Sequence, residues 1–141
     1  MALALERNLR VRRRDTSELR PLAGWIQEFA ARRGLSAAAT YDLDLGLHEA
    51  VANIIQHGCE EGREHRIRIR LEAAEEAIRI RIEDDARPFN PLEVPAPTVP
   101  ASLEETPAGG RGLPLLRLLM RELRYEHAGG HNILTLLFVP D

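Results

Sequence analysis

The 141 residues fit one domain of ordinary size, 44% apolar, and a net charge of −3 gives the chain no overall attraction to nucleic acid. All 19 cationic residues are Arg, and the absence of Lys excludes a P-loop lysine, the strand lysine of eukaryotic-type kinases and Schiff-base chemistry. With one cysteine, Cys59, no secretory leader and no apolar run of about 20 residues, a reduced, cytoplasmic protein is expected, with neither a disulfide nor a membrane span.

Residues 3–13 alternate loosely around Leu3, Leu5, Leu9 and Val11, which predicts a half-buried first strand. Asp15, Thr16 and Ser17 offer an N-cap to a helix expected from Glu18 to Arg33. Its apolar face carries Leu19, Leu22, Ile26, Phe29 and Ala30, and Gly34 is its stop. A second helix is expected from Ser36 to His57, with Leu43, Leu47, Ala50, Val51 and Ile54 on one face and Gly58 as its end. Residues 66–71 and 78–82 alternate Arg with Ile or Leu and predict an antiparallel hairpin with one wet face. That face holds five Arg, but Glu64, Glu72 and Glu83 are close by and no aromatic residues are interleaved for stacking, so a solvated or partner-facing surface is expected.

Six of the nine prolines fall between Pro88 and Pro107, which excludes a central strand or a regular helix there and predicts a long lid loop, about 91–111. Gly109-Gly110-Arg111-Gly112 closes it and opens a short helix bearing Leu113, Leu115, Leu116, Leu119 and Met120. Strands around 123–127 and 133–139, joined by Gly129-Gly130, complete a β-α-α-β-β-lid-α-β-β order in a single domain, 1–141.

Three clusters carry candidate chemistry. Glu49, Asn53 and His57 stand at i, i+4 and i+8 on the second helix, with Asp42 and Gln56 nearby. A carboxylate and a carboxamide one turn apart can hold a base beside a hard-metal ligand, or simply be solvated. His48-Glu49 is no zincin motif, because the second ligand position is Ala52. Asp84-Asp85, at the end of a strand, can accept hydrogen bonds from a ligand amine or cap the turn. Gly109-Gly110-Arg111-Gly112 before a helix lets backbone amides approach a phosphate, with Arg111 adding a fork of donors, and a hinge needs the same residues.

Together the clusters resemble, in order, the N, G1 and G2 boxes of the GHKL (Bergerat-fold) ATPases. Within that superfamily the chain is similar, from about residue 5 to 139, to the small anti-sigma-factor serine/threonine kinases of bacterial partner switching. The resemblance implies an α/β (α+β) two-layer sandwich, a mixed, mainly antiparallel sheet with helices on one face. It implies Mg²⁺ on Asn53, adenine on Asp84, Ala86 within the adenine box, and Gly110, Arg111, Gly112 and Leu113 around the ATP phosphates. Glu49 is the implied general base toward a partner's Ser or Thr hydroxyl. The implied partners are a STAS-type anti-anti-sigma antagonist, a sigma factor or similar regulator, and a second copy in a homodimer, with no direct nucleic acid and no membrane. The alternative is a catalytically silent, nucleotide-binding interaction switch. Two positions depart from the family pattern: Ala86 stands where the G1 box has Gly, and the bulky Arg87 follows it.

Overall fold

The structure, a computed structural model, describes residues 3–12, 17–93 and 115–140. Five strands, β1 (Ala4–Val11), β2 (His65–Ala73), β3 (Ile78–Asp84), β4 (Glu122–Ala128) and β5 (His131–Phe138), accompany two long helices, α1 (Leu22–Arg33) and α2 (Ala37–Gly58). The sheet order is β1-β2-β3-β5-β4. All four pairings among the described residues are antiparallel, the dominant pairing expected of the sheet. β3 and β4 do run the same way, but β5 turns back at Gly129-Gly130 and fills the slot between them. Both glycines have positive φ, 61° and 79°, the backbone that a two-residue hairpin turn requires.

The period-two pattern divides the sheet into two unlike faces. Ile69 faces Ile82, Leu71 faces Ile80 and Ile80 faces Leu136 across neighbouring strands, and all five are fully buried. Against this face α2 lays the i, i+4 row Leu43, Leu47, Val51 and Ile55, and α1 adds Leu22, Ile26 and Phe29, all without exposed surface. The other face carries charge: Arg70 bonds Glu6 and Glu72 at 3.2 and 3.4 Å, while Glu83 is shared by Arg68 and Arg81 at 3.7 and 3.5 Å. Acids interspersed among the arginines bear out the expectation of a wet face with helices on one side only.

Helix α1 starts later than its apolar pattern predicts. Pro21 stands at its N-cap without a side-chain cap, and the chain before it is a 3-10 turn, Ser17–Leu19. Proline disfavours helical backbone in the residue before it, which severs Glu18–Arg20 from the helix despite Leu19 sharing its buried face. Helix α2 begins as expected, with Ser36 Oγ accepting from Ala39 N at 3.0 Å. Residues 115–119 are helical. Of the expected lid, Pro91–Glu93 forms a 3-10 turn, while residues 94–111 and Gly112-Leu113 lie outside the described residues.

Candidate functional site

The C-terminal end of α2 and the turn leaving β3 are in direct contact. Glu49 is half-buried on α2, Asn53 follows one turn later at 5% exposure, and His57 sits in the last turn. None of the hydrogen bonds among the described residues involves the Asn53 carboxamide.

Asp84, 3% exposed, ends β3 on the buried face, opposite Asn132 of β5. Its Oδ1 accepts from Ala86 N at 3.0 Å and from Asn132 Nδ2 at 2.9 Å, and Oδ2 receives no bond among the described residues. Burial holds the Asp84 carboxyl above its ordinary value, against the opposing pull of those two donors; Asp85 adds to the rise and His65 opposes it. The adjacent carboxylates thus divide two roles that the sequence leaves joined. Asp85 Oδ1 accepts from Arg66 N at 3.0 Å and lies 3.2 Å from His65 Nδ1, while His65 Nε2 accepts from Glu60 N at 3.0 Å. With Nε2 acting as acceptor, the His65 ring proton belongs on Nδ1, directed at Asp85. Asp85 therefore caps the turn, leaving one acceptor oxygen of Asp84 uncommitted.

Asn132 organises the turn. Its Nδ2 reaches Asp84 Oδ1 and also the carbonyls of Ala86 and Arg87, at 3.3 and 2.9 Å. Its Oδ1 accepts from Phe89 N at 3.3 Å and from the Tyr125 hydroxyl. The sequence hides this residue, since Asn directly after His131 and the Gly-Gly turn reads as part of the turn. The signal that could have found it is phase: Asn132 shares its parity with buried Leu134, Leu136 and Phe138.

The two departures from the family pattern also find physical reasons. Ala86 is buried, with its methyl turned to α2: a Cβ built on Gly58 would lie 3.0 Å from Ala86 Cβ. Glycine at position 58 thus supplies the room that the methyl at position 86 takes. Arg87 Nε donates to His57 O at 2.8 Å and Arg87 N to Gly58 O at 3.4 Å, satisfying carbonyls that the end of a helix leaves without partners. The His57 and Phe89 rings stack at 5.0 Å and 15°. These contacts fasten the turn after Asp84 to the helix carrying Glu49 and Asn53, and bring two of the three predicted clusters to one place. The third, Gly110 to Leu113, lies outside the described residues.

No group of three or more His, Cys, Asp or Glu among the described residues could hold a metal by itself. A nearly buried carboxamide without a hydrogen-bond partner among the described residues nevertheless fits Mg²⁺, which takes one or two protein oxygens and relies on phosphate and water for the rest. The unpaired Asp84 oxygen, backed by a rigid network, fits an amino donor on a planar base.

The profile of the histidine kinase-like ATPase domain matches residues 13–138. The chain belongs to that family. It is 31% identical over 112 residues to the serine/threonine-protein kinase BtrW of Bordetella bronchiseptica, covering 79% of each chain. It is 27% identical to the serine-protein kinase RsbW of Bacillus subtilis, covering 74% of this chain and 68% of that one. Among solved structures, the RsbU and RsbW domains of a Mycobacterium tuberculosis protein superpose with a TM-score of 0.60 at 18% identity. That match covers 95% of this chain and 32% of the longer one. The blue-light activated histidine kinase of Erythrobacter litoralis gives a TM-score of 0.53 at 19% identity over 75% of this chain and 32% of its own. At such identities the likeness of these structures concerns the fold. No described helix is long and apolar enough to cross a membrane.

Proposed function

We propose that this chain is an ATP-dependent serine/threonine protein kinase of a partner-switching system. It phosphorylates a STAS-type anti-anti-sigma antagonist in the cytoplasm and in its other state holds a sigma factor or similar regulator. The observation that carries the reading is the joining of α2 to the Asp84 turn through Gly58, Ala86, Arg87 and the His57–Phe89 stack. It supports a site shared by Glu49, Asn53 and Asp84. Relatives named as protein kinases support the choice of chemistry.

Bound Mg-ATP supplies the transferable phosphoryl group and the cation that offsets its charge. The chain's own residues have distinct tasks. Asp84 reads the exocyclic amino group of adenine through Oδ2, while Asn132 and Ala86 N hold the carboxylate still. Asn53 offers its carboxamide oxygen to the metal. Glu49 receives the proton from the attacking Ser or Thr hydroxyl, a role for which a half-buried carboxylate one turn from the metal ligand is suited. Gly110 and Arg111, at the end of the 91–111 lid, and Gly112 and Leu113 just after it would contact the phosphates. Edge strand β1 pairs only with β2 and offers its free side to a second copy, giving a homodimer.

The test is transfer of label from γ-labelled ATP to a STAS acceptor encoded near the gene. Phosphoserine or phosphothreonine on the acceptor is the expected product. Tight nucleotide binding with no acceptor labelled would overturn the kinase reading in favour of the silent interaction switch.

A further inference from the structure

The charged face of the sheet is locally balanced except at one end. Arg70 has Glu6 and Glu72, and Glu83 serves both Arg68 and Arg81. At the end nearest the Asp84 turn, however, Arg10 of β1 lies directly opposite Arg66 of β2. Both are exposed, and neither has an ion-pair partner among the described residues. Like charges placed directly across an antiparallel pair repel, so this arrangement costs stability unless something anionic covers it. The two arginines line a concavity of about 570 Å³ together with Arg68, Glu83, Asp84, Asp85 and His131. Of its three acids, Glu83 is engaged by two arginines, Asp85 by Arg66 N and His65, and Asp84 by Ala86 N and Asn132 on the buried side. On the exposed face, Arg10 and Arg66 remain without a carboxylate partner among the described residues.

We propose that this concavity, built on Arg10, Arg66 and Arg68 with His131 at its rim, docks an acidic Asp/Glu-bearing segment of a partner protein. Guanidinium forks side by side suit successive carboxylates, each of which can be held in two-point contact. The site does not depend on phosphotransfer. Asp84 also borders the concavity, but its carboxylate is held on the buried face by Ala86 N and Asn132, so the nucleotide site adjoins the acidic segment's site across the sheet.

The test follows backbone amide shifts of the full chain during titration with a short polyglutamate peptide. Inorganic phosphate at matched charge and an oligothymidylate are parallel arms. The peptide is expected to shift the amides of Asn8, Arg66 and Asp85 saturably, equally with and without ATP, and more weakly as salt rises. Arg10→Glu is expected to weaken the peptide by about tenfold or more, the loss of one charge-assisted contact. The same variant is expected to raise Tm, because the new carboxylate faces Arg66 and replaces repulsion by attraction. Arg66→Gln, which leaves Arg10 and Arg68, is expected to weaken the peptide with a smaller gain in Tm, since it removes the repulsion without adding an attraction. No saturable shift, equal affinity for phosphate, tighter binding of the oligothymidylate, displacement by ATP, or unaltered peptide binding by both variants would each overturn the proposal.

Discussion

Replacing Asp84 by Asn tests the reading of the adenine site with two opposing signs. Ala86 N and Asn132 Nδ2 both donate to Oδ1, at 3.0 and 2.9 Å, so the new amide must keep its oxygen there and place its NH₂ where Oδ2 was. An acceptor facing the adenine amino group thereby becomes a donor. A hydrogen bond to a charged group contributes about 1.5–3 kcal/mol, so ATP affinity should fall roughly 10- to 150-fold, at about 1.4 kcal/mol per tenfold. Inosine triphosphate has a carbonyl in place of that amino group, so calorimetry with both nucleotides should show preference shifting from ATP toward ITP. Stability moves the other way. Burial raises the Asp84 carboxyl above 3.8, so the folded state binds the proton more readily than the unfolded state. The parent therefore loses stability as pH rises from 3.8 through the raised value, and does not regain that loss above it. The variant has no such proton to lose, so its Tm should exceed the parent's at neutral pH and the gap should close on acidification. Parent-like ATP affinity together with a lowered neutral Tm would refute both the bonding geometry and the role.

Other consequences follow from the same contacts. Gly58→Ala puts a methyl 3.0 Å from Ala86 Cβ and should lower stability by about 1–3 kcal/mol in chemical denaturation, with Ala86→Gly restoring most of it in the double variant. Arg87→Ala removes the donor to His57 O and should cost about 0.5–1.5 kcal/mol, with faster amide exchange at the end of α2. Asn132→Ala frees the turn at Asp84, Ala86, Arg87 and Phe89 together, so nucleotide affinity should fall even though the substitution leaves Asp84 itself unchanged. Asn53→Ala should weaken ATP only when Mg²⁺ is present, and an equal loss in chelator would contradict a metal-facing carboxamide.

Much of the fold is legible in the chain because its periodicities are clean. Arg-Ile alternation over 66–71 and 78–82 can hardly be anything but a one-sided hairpin, and the Leu43-Leu47-Val51 spacing commits α2 to helix. Where local rules compete, the sequence misleads: Leu19 extends the apolar stripe of α1 while Pro21 breaks its backbone. The sheet order escapes because nothing local says that β5 enters between β3 and β4. In the site, Glu49, Asn53 and Asp84 are legible from their spacing and their resemblance to a known box order. Asn132, Arg87 and the His57–Phe89 stack are not, since the partners that matter, Asp84 for Asn132, His57 for Arg87 and Phe89 for His57, lie far along the chain and leave no period.

The most direct test of the central claim is a Glu49→Gln variant assayed side by side for Mg-ATP affinity and for phosphoryl transfer to the STAS acceptor. Glutamine keeps the shape of the side chain and removes its basicity, so affinity should stay within a few-fold while transfer falls by about 10²–10⁴. Transfer at the parent rate would contradict the assignment of Glu49 as the base, and with it the account of α2 as the catalytic helix.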